Sequence, residues 1–168
     1  MINIVRLSDR YDVHALGEAD ADEVLALCRE NEQFYQYCEA EPTRAQITSD
    51  MSITPPKKDR SSKYYVGFYR GDTLMAVMDL IDGYPEAHVA YIGFFMMNKA
   101  HQGRGVGSAI VSEVADYLKS LGMRSIMLAI DKGNPQSTGF WKKNGFVVVK
   151  EVDRNGWTAL VAQKALND

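Results

Sequence analysis

The sequence predicts a mixed α/β fold of the α+β kind, with a mostly antiparallel central sheet and one parallel strand pair. Three observations predict it. Short polar turns at Arg70-Gly71-Asp72, Asp82-Gly83-Tyr84-Pro85 and Asp153-Arg154-Asn155-Gly156 join apolar, β-branched and aromatic runs, as in hairpins. An amphipathic helix, Val106 to Leu121, stands between two apolar strands, which makes those two parallel neighbours joined by a crossover. At 168 residues, 46% hydrophobic and 24% charged, the chain suits one domain, 1–168, around a single core.

Met1 to Leu7 alternates like a strand, and Ser8 to Gly17 reads as a connection. Asp20 with Glu23 three residues later resembles a capping box. Val24, Leu27, Cys28, Phe34, Tyr35 and Cys38 then recur at helical spacing, with a break near Asn31. Pro42-Thr43 with Gln46 repeats the capping pattern and starts a shorter helix that ends before Pro55-Pro56. Lys57 to Ser62 is a polar loop. The runs Lys63 to Tyr69, Thr73 to Ile81 and His88 to Met97 form a three-strand meander. In the helix that follows, Val106, Ile110, Val114, Leu118 and Leu121 make one apolar stripe, while Ser108, Ser112, Glu113, Asp116 and Lys119 face away; Gly122 stops it. Arg124 to Ile130 is the next strand. Asn134 and Pro135 suit the cap and first position of a short helix that ends at Asn144-Gly145. Phe146 to Val152 and Trp157 to Val161 close the chain as a hairpin.

A net charge of -3 and a pI near 5.6 argue against a surface built to grip nucleic acid or anionic membrane. No run of eighteen apolar residues occurs, and Met1 to Arg6 lacks the layout of a secretory signal, so a cytosolic (cytoplasmic) location is expected. Cys28 and Cys38, on one continuous helix, would lie about 15 Å apart, too far for a disulfide, and read as reduced, buried thiols. His14, His88 and His101 are scattered and match no zinc spacing, so no metal site is expected.

The stretch His101 to Ser108 joins the third meander strand to the long helix. Glycines at 103, 105 and 107 leave backbone N–H groups and a helix N-terminus open to an anion, with phosphate or pyrophosphate the natural guest. A P-loop requires a lysine straight after the last glycine, and Ser108 stands there. A dinucleotide fold fits the strand-turn-helix order, and the later strand ends in Asp131, where a ribose-binding acid would stand. Ser108 nevertheless occupies the third glycine position, and a meander precedes the turn.

Gln102-Gly103-Arg104-Gly105-Val106-Gly107 resembles the Q/R-x-x-G-x-G/A signature of the GNAT superfamily of acetyl-CoA-dependent N-acetyltransferases. The segment Asn134 to Phe146, with its Asn, small residues and aromatic pair before Gly-Phe, resembles that family's second signature. The resemblance spans most of the chain and implies a GNAT-like fold, with helices on both faces of a twisted sheet whose parallel pair splays. It implies that acetyl-CoA or CoA is the cosubstrate and that the N–H groups of Gln102, Gly103, Arg104, Gly105, Val106, Gly107 and Ser108 hold its pyrophosphate. It also implies that Met97 and Asn134 bond the pantetheine, that Ser137, Phe140, Trp141 and Lys143 border the CoA channel, and that the Phe95 N–H faces the thioester carbonyl. The acceptor is then a primary amine of a small molecule or peptide, with neither nucleic acid nor membrane as partner and a homodimer compatible with the family.

Acyl transfer to an amine needs the amine deprotonated, since a lysine-like ammonium titrates near 10.4, and it needs the developing oxyanion stabilised. Many relatives place a tyrosine acid where this chain has Trp141, which has no acidic proton to give, and Tyr91 stands where some place a glutamate base. Neither role transfers. Glu86, His88, Asp79 and Asp82 remain as candidates for the base. Phe34, Tyr35 and Tyr37 are either core or the mouth of the acceptor site. A non-catalytic CoA-binding or regulatory module and a nicotinamide-dinucleotide enzyme are the alternatives.

Overall fold

The computed structural model describes residues 1–38 and 40–167. Seven strands form one sheet in the order β1-β2-β3-β4-β5-β7-β6. They are β1 (Asp12–Ala15), β2 (Lys63–Arg70), β3 (Thr73–Asp82), β4 (Val89–Met97), β5 (Ser125–Asp131), β6 (Val147–Arg154) and β7 (Trp157–Ala165). Every neighbouring pair is antiparallel except β4 with β5, as the crossover helix between them dictates. β3 lies in the middle of the meander and is buried from Leu74 to Ile81. The helices are α1 (Ala21–Glu30), α2 (Glu32–Tyr35), α3 (Arg44–Asp50), α4 (Val106–Ser120) and α5 (Pro135–Lys143).

The sheet separates two cores. On one face Ile110, Val114 and Leu118 of α4 and Trp141 of α5 pack on Met78, Leu80, Ile92, Ile126 and Leu128. On the other, Val24, Leu27 and Cys28 of α1 and Ile47 of α3 pack on Tyr65, Val77 and Met96. The alternation of neighbours such as Met78 and Val77, or Met97 and Met96, assigns side chains to one face or the other.

Beyond Ile92 the parallel pair comes apart. β4 pairs with β5 only from Val89↔Ser125 to Ile92↔Leu128. At the next residue β4 carries a bulge: Asp79 of β3 faces Phe94 and Leu80 faces Ile92, which leaves Gly93 unmatched. Phe94 to Met97 continue against β3, while Ala129 to Asp131 continue against β7. Each strand follows its outer neighbour, and a bulge bends the strand that carries it. The gap between the ends of β4 and β5 is the opening that the site uses.

Several sequence expectations are corrected. Met1–Leu7 is not a strand: Asn3 Oδ1 accepts from Val5 N–H and Ile4–Leu7 winds into a 3₁₀ turn that buries Leu7 and leaves Val5 exposed. The first strand is instead Asp12–Ala15, inside the expected connection; four residues with only Val13 buried carry too little periodicity to read. The expected Asp20–Glu23 capping box is absent. Asp20 accepts from Gly17 N–H at 2.9 Å, and Glu23 accepts from Tyr69 Oη at 2.8 Å. Glu113 does not simply face solvent; its carboxylate takes hydrogen bonds from Ser8 Oγ and from the Asp9 and Arg10 N–H groups. Leu121 lies past the end of α4 and is 42% exposed, so the stripe ends at Leu118. Leu118→Ala should therefore cost about 2–5 kcal/mol in urea unfolding, while Leu121→Ala should change stability by less than about 0.5 kcal/mol.

Candidate active site

A cleft of about 240 Å³ lies between the end of β4, the start of α4 and α5, with Asn31 and Phe34 lining it from the α1–α2 side. Its floor is Phe95, Met96 and Met97, its rim the glycine turn, and its far wall Ser137, Phe140, Trp141 and Lys143 of α5. The three glycines of the turn act differently. Gly103 and Gly105 have φ of 76° and 78°, the left-handed region where a Cβ is strained, and no atom stands near where that Cβ would be. Gly107 has an ordinary φ, but a Cβ there would come within 3.2 Å of Met97 and Phe140. Two glycines shape the turn, and the third lets α4 approach β4 and α5. At Gly107 the missing Cβ also serves packing, which the glycine spacing alone does not reveal. The first intrahelical bond of α4 runs from Ala109 N–H to Gly105 O at 3.0 Å, so the N–H groups of Val106, Gly107 and Ser108 precede the ladder. They sit at the positive end of a fifteen-residue helix.

Of the expected CoA contacts, Phe95, Met97, Gln102, Gly103, Gly105, Gly107, Ser108, Ser137, Phe140, Trp141 and Lys143 border this cleft. Arg104 is exposed on the turn, and Val106 packs toward the α4 core. Asn134, between β5 and α5, is 1% exposed and is not part of the lining. Its Oδ1 caps α5 by accepting from Ser137 N–H at 3.1 Å, while its Nδ2 is buried with no partner among the described residues. Phe95 stacks on Phe140 at 5.9 Å, and Trp141 packs between Phe140 and Phe146. Trp141 is thus a buried wall.

One contributor carries no motif. Asn31, at the break between α1 and α2, donates from Nδ2 to Met97 O at 3.0 Å and to Leu27 O at 2.9 Å. Gln102 Nε2 in turn donates to Asn31 Oδ1 at 2.6 Å. This chain ties the start of the glycine turn to the helix break and to the end of β4. A polar residue at helical spacing where the helix breaks was the one sequence signal for it.

The face carrying α1 and α3 holds the other titratable groups. Asp79 lies across from the bulge, with Oδ2 2.7 Å from where a Gly93 Cβ would be and 2.8 Å from Lys63 Nζ. Burial pushes its carboxyl up, with Lys63 opposing. The phenols of Tyr35 and Tyr65 and the Cys28 thiol are raised chiefly by burial and stay protonated at neutral pH. Tyr91 is also raised by burial, against the pull of Arg154, and its ring meets Tyr84 at 5.3 Å. Glu86 and His88 are exposed at the other end of β4. His88 is seven residues from Phe95, roughly 20 Å along a strand, so the structure does not bring either residue to the cleft. Asp82 lies 3.7 Å from the Met1 amine. Phe34 and Tyr35 pack as core, and Phe34 also borders the cleft. Both cysteines are free; Cys28 is buried and Cys38 half-buried, and Cys38 Sγ donates to Asp131 Oδ2 at 3.5 Å. Among the described residues no group of three His, Cys, Asp or Glu side chains is placed to hold a metal, and no helix is long and apolar enough to cross a membrane.

A mixed sheet opened at its one parallel pair, with a glycine-rich helix start in the opening, defines the acetyltransferase class of fold. The Acetyltransferase (GNAT) family matches residues 23–146, and the chain belongs to that family. Its members are acyltransferases that use acetyl-CoA. An acetyltransferase from Thermus thermophilus has a similar structure, with a TM-score of 0.72 and 22% identity over 92% of this chain and 96% of that one. So has a GCN5-related N-acetyltransferase from Kribbella flavida, with a TM-score of 0.66 and 24% identity over 94% and 98%. The PaiA N-acetyltransferase from Thermoplasma acidophilum, solved in complex with coenzyme A, has a TM-score of 0.67 and 16% identity over 92% and 98%. No curated protein matches significantly.

Burial first, then the charge of Asp131 and its hydrogen bond, push the Cys38 thiol up to about 12. At pH 8 its thiolate fraction is then far below that of an ordinary thiol near 8.5. Cys38 should react with a disulfide reagent at least about a hundredfold more slowly than free cysteine. Asp131→Asn, which removes the charge, should speed the reaction.

Proposed function

We propose that the protein transfers an acetyl group from acetyl-CoA to a primary amine by direct attack in a ternary complex. The observation that carries this reading is the opening beyond Ile92 and Leu128, with the start of α4 on one side of the sheet and Asp79 on the other. The fit to CoA rests on three features. Gly103 and Gly105 leave a cradle free of Cβ atoms, the first N–H groups of α4 precede its ladder, and Asn134 Nδ2 is a buried donor without an acceptor among the described residues. The turn from Gln102 to Ser108, with Arg104 and Lys143, would hold the pyrophosphate. Met97 and Asn134 would bond the pantetheine arm, and Ser137, Phe140 and Trp141 would enclose it. Acetyl-CoA supplies an acyl group activated as a thioester.

The protein's own part is to orient the acyl carbonyl, exclude water and take a proton. Phe95 lies on β4 beyond its last pairing with β5, and its N–H is proposed as the oxyanion donor, a role in which one donor contributes about 2.7–4 kcal/mol. Asp79 is proposed as the base, reaching the acceptor through water at the exposed Gly93. Burial raises the basicity of its carboxylate, with the hydrogen bond and charge of Lys63 opposing that shift, which is the direction a general base needs. A thiol of pKa near 8.5 is a tolerable leaving group, so Trp141 in place of an acid slows departure by no more than the usual 10²–10⁴-fold for general acid catalysis.

Calorimetric titration should detect acetyl-CoA binding to the native protein. Gly105→Glu, which puts a carboxylate at the anion site and a Cβ at φ 78°, should weaken binding at least about a hundredfold, equivalent to roughly 2.7 kcal/mol. Thiol release with an amine panel should give turnover that Trp141→Phe retains. Asp79→Asn, checked for folding by its melting curve, should lower kcat by roughly 10²-fold or more and abolish its pH dependence on the acid side. Binding without turnover for any amine would favour the non-catalytic module.

A further inference from the structure

We propose that the cavity at the end of β5, walled by Tyr37 and Trp157 with Asp131 at its base, seats a second cationic group of the acceptor, which makes the acceptor an aliphatic diamine. The proposal rests on the transferase reading above. The cavity measures about 250 Å³ and is lined by Gln36, Tyr37, Asp131, Lys132, Trp157 and Thr158.

Its place follows from the strand. Ile126, Leu128 and Ile130 of β5 point into the α4 core, so Asp131 alternates with them and points to the opposite face, the one that carries Asp79. It is the last residue of β5, three past Leu128, the last to pair with β4. Were that register to continue, Asp131 would stand abreast of the Phe94–Phe95 segment. The cavity therefore flanks the acceptor side of the opening.

The chemistry follows from what surrounds the carboxylate. Among the described residues Asp131 makes no ion pair, and its one side-chain hydrogen bond comes from the Cys38 thiol at 3.5 Å, a weak donor. Lys132, the neighbouring cation, is 3.1 Å from Glu151 of β6. Trp157 is 39% exposed, and with Tyr37 it offers aromatic surface beside an unbalanced negative charge. Aromatic faces and a carboxylate together recognise an alkylammonium.

The nitrogen that attacks must be neutral, and a carboxylate held directly against it with no cation beside it, as Asp131 would be, would keep it protonated; Asp79 differs in having Lys63 beside it and in reaching the amine through water. A charge-holding cavity beside the reacting centre thus serves a nitrogen that stays charged throughout. Neighbouring strands lie about 4.8 Å apart and these two diverge, so the two nitrogens are separated by a chain of about three to six carbons.

The test compares 1,4-diaminobutane with butylamine on the CoA-loaded native protein, by calorimetry and by thiol release with acetyl-CoA. The diamine should bind, and react by kcat/KM, at least about tenfold better, with the difference in KM and reduced by added salt. In Asp131→Asn and in Trp157→Leu the ratio of the two amines should fall toward one. Equal binding and turnover of both amines by the native protein would overturn the proposal and leave the transferase reading in place. So would a ratio that survives Asp131→Asn, or turnover confined to lysine peptides. Absence of CoA binding would overturn both.

Discussion

The constraint on which the rest depends is that β4 and β5 cannot both keep their outer partners and each other. Four residue pairs join them, Gly93 bulges, and from there each strand follows a different neighbour. Backbone groups left without a ladder partner are costly unless something else satisfies them. At the end of β4 that is partly done by side chains, since the Met97 carbonyl accepts from the Asn31 and Gln102 amides. Gly93 is also what fits, because any Cβ there would strike the Asp79 carboxylate. The bulge, the buried Asp79–Lys63 pair and the opening are thus one arrangement. Removing Lys63 would leave Asp79 as an uncompensated buried charge, and breaking such pairs costs about 3–5 kcal/mol.

The opening requires that the elements around it be stiff. On the α5 side an aromatic cluster of Phe95, Phe140, Trp141 and Phe146 supplies this, with ring centroids 4.9–5.9 Å apart. Such edge and offset contacts add about 0.5–1.5 kcal/mol each beyond area burial. Trp141 therefore belongs to the cleft's wall by packing. With a bulky, non-acidic side chain there, the wall gains rigidity and loses any proton donor, which places the proposed chemistry on the orientation of the acyl group and on the fate of the amine's proton. Gly107 makes the same point from the other side. Its missing Cβ lets Met97 and Phe140 close against α4, so the glycine turn is held by the aromatic wall as well as by its own conformation.

Much of this was legible in the sequence because it is local. Hairpin turns, the capping patterns at Thr43 and Asn134, the α4 stripe and the glycine spacing each depend on residues a few positions apart, and the family signatures sit on them. What was not legible is long-range or too short. A strand of four residues with one buried side chain has no period to detect, while Met1–Leu7 has the period and is diverted by the Asn3 cap. The bulge at Gly93 exists only as a mismatch between two strands, and a mismatch has no signature in either one alone. Asn31 looked like a helix break and proved to be the hub joining α1, β4 and the glycine turn, because its partners lie 66 and 71 residues away. Glu86 and His88 had suitable chemistry at the wrong end of a strand, an error of direction that pattern alone cannot prevent.

The face that carries α1 and α3 has a charge pattern of its own. Burial keeps the Tyr35, Tyr65 and Cys28 groups protonated, and with them the Cys38 thiol, so these four groups are neutral at physiological pH. Among the carboxylates on this face, Asp79 has Lys63 beside it, whereas the Asp131 side chain accepts only from a thiol. A neutral lining does not hold an ammonium in its charged form, whereas an unbalanced carboxylate does. In the proposed reaction the two points would therefore do opposite things to an amine. Beside Asp79 the nearby lysine cation disfavours a positive nitrogen, which helps to shed the proton that blocks attack. At Asp131 nothing opposes a positive nitrogen, and the aromatic walls favour it. A substrate with one nitrogen would be drawn to the second point and away from the first, whereas one with two nitrogens would be satisfied at both.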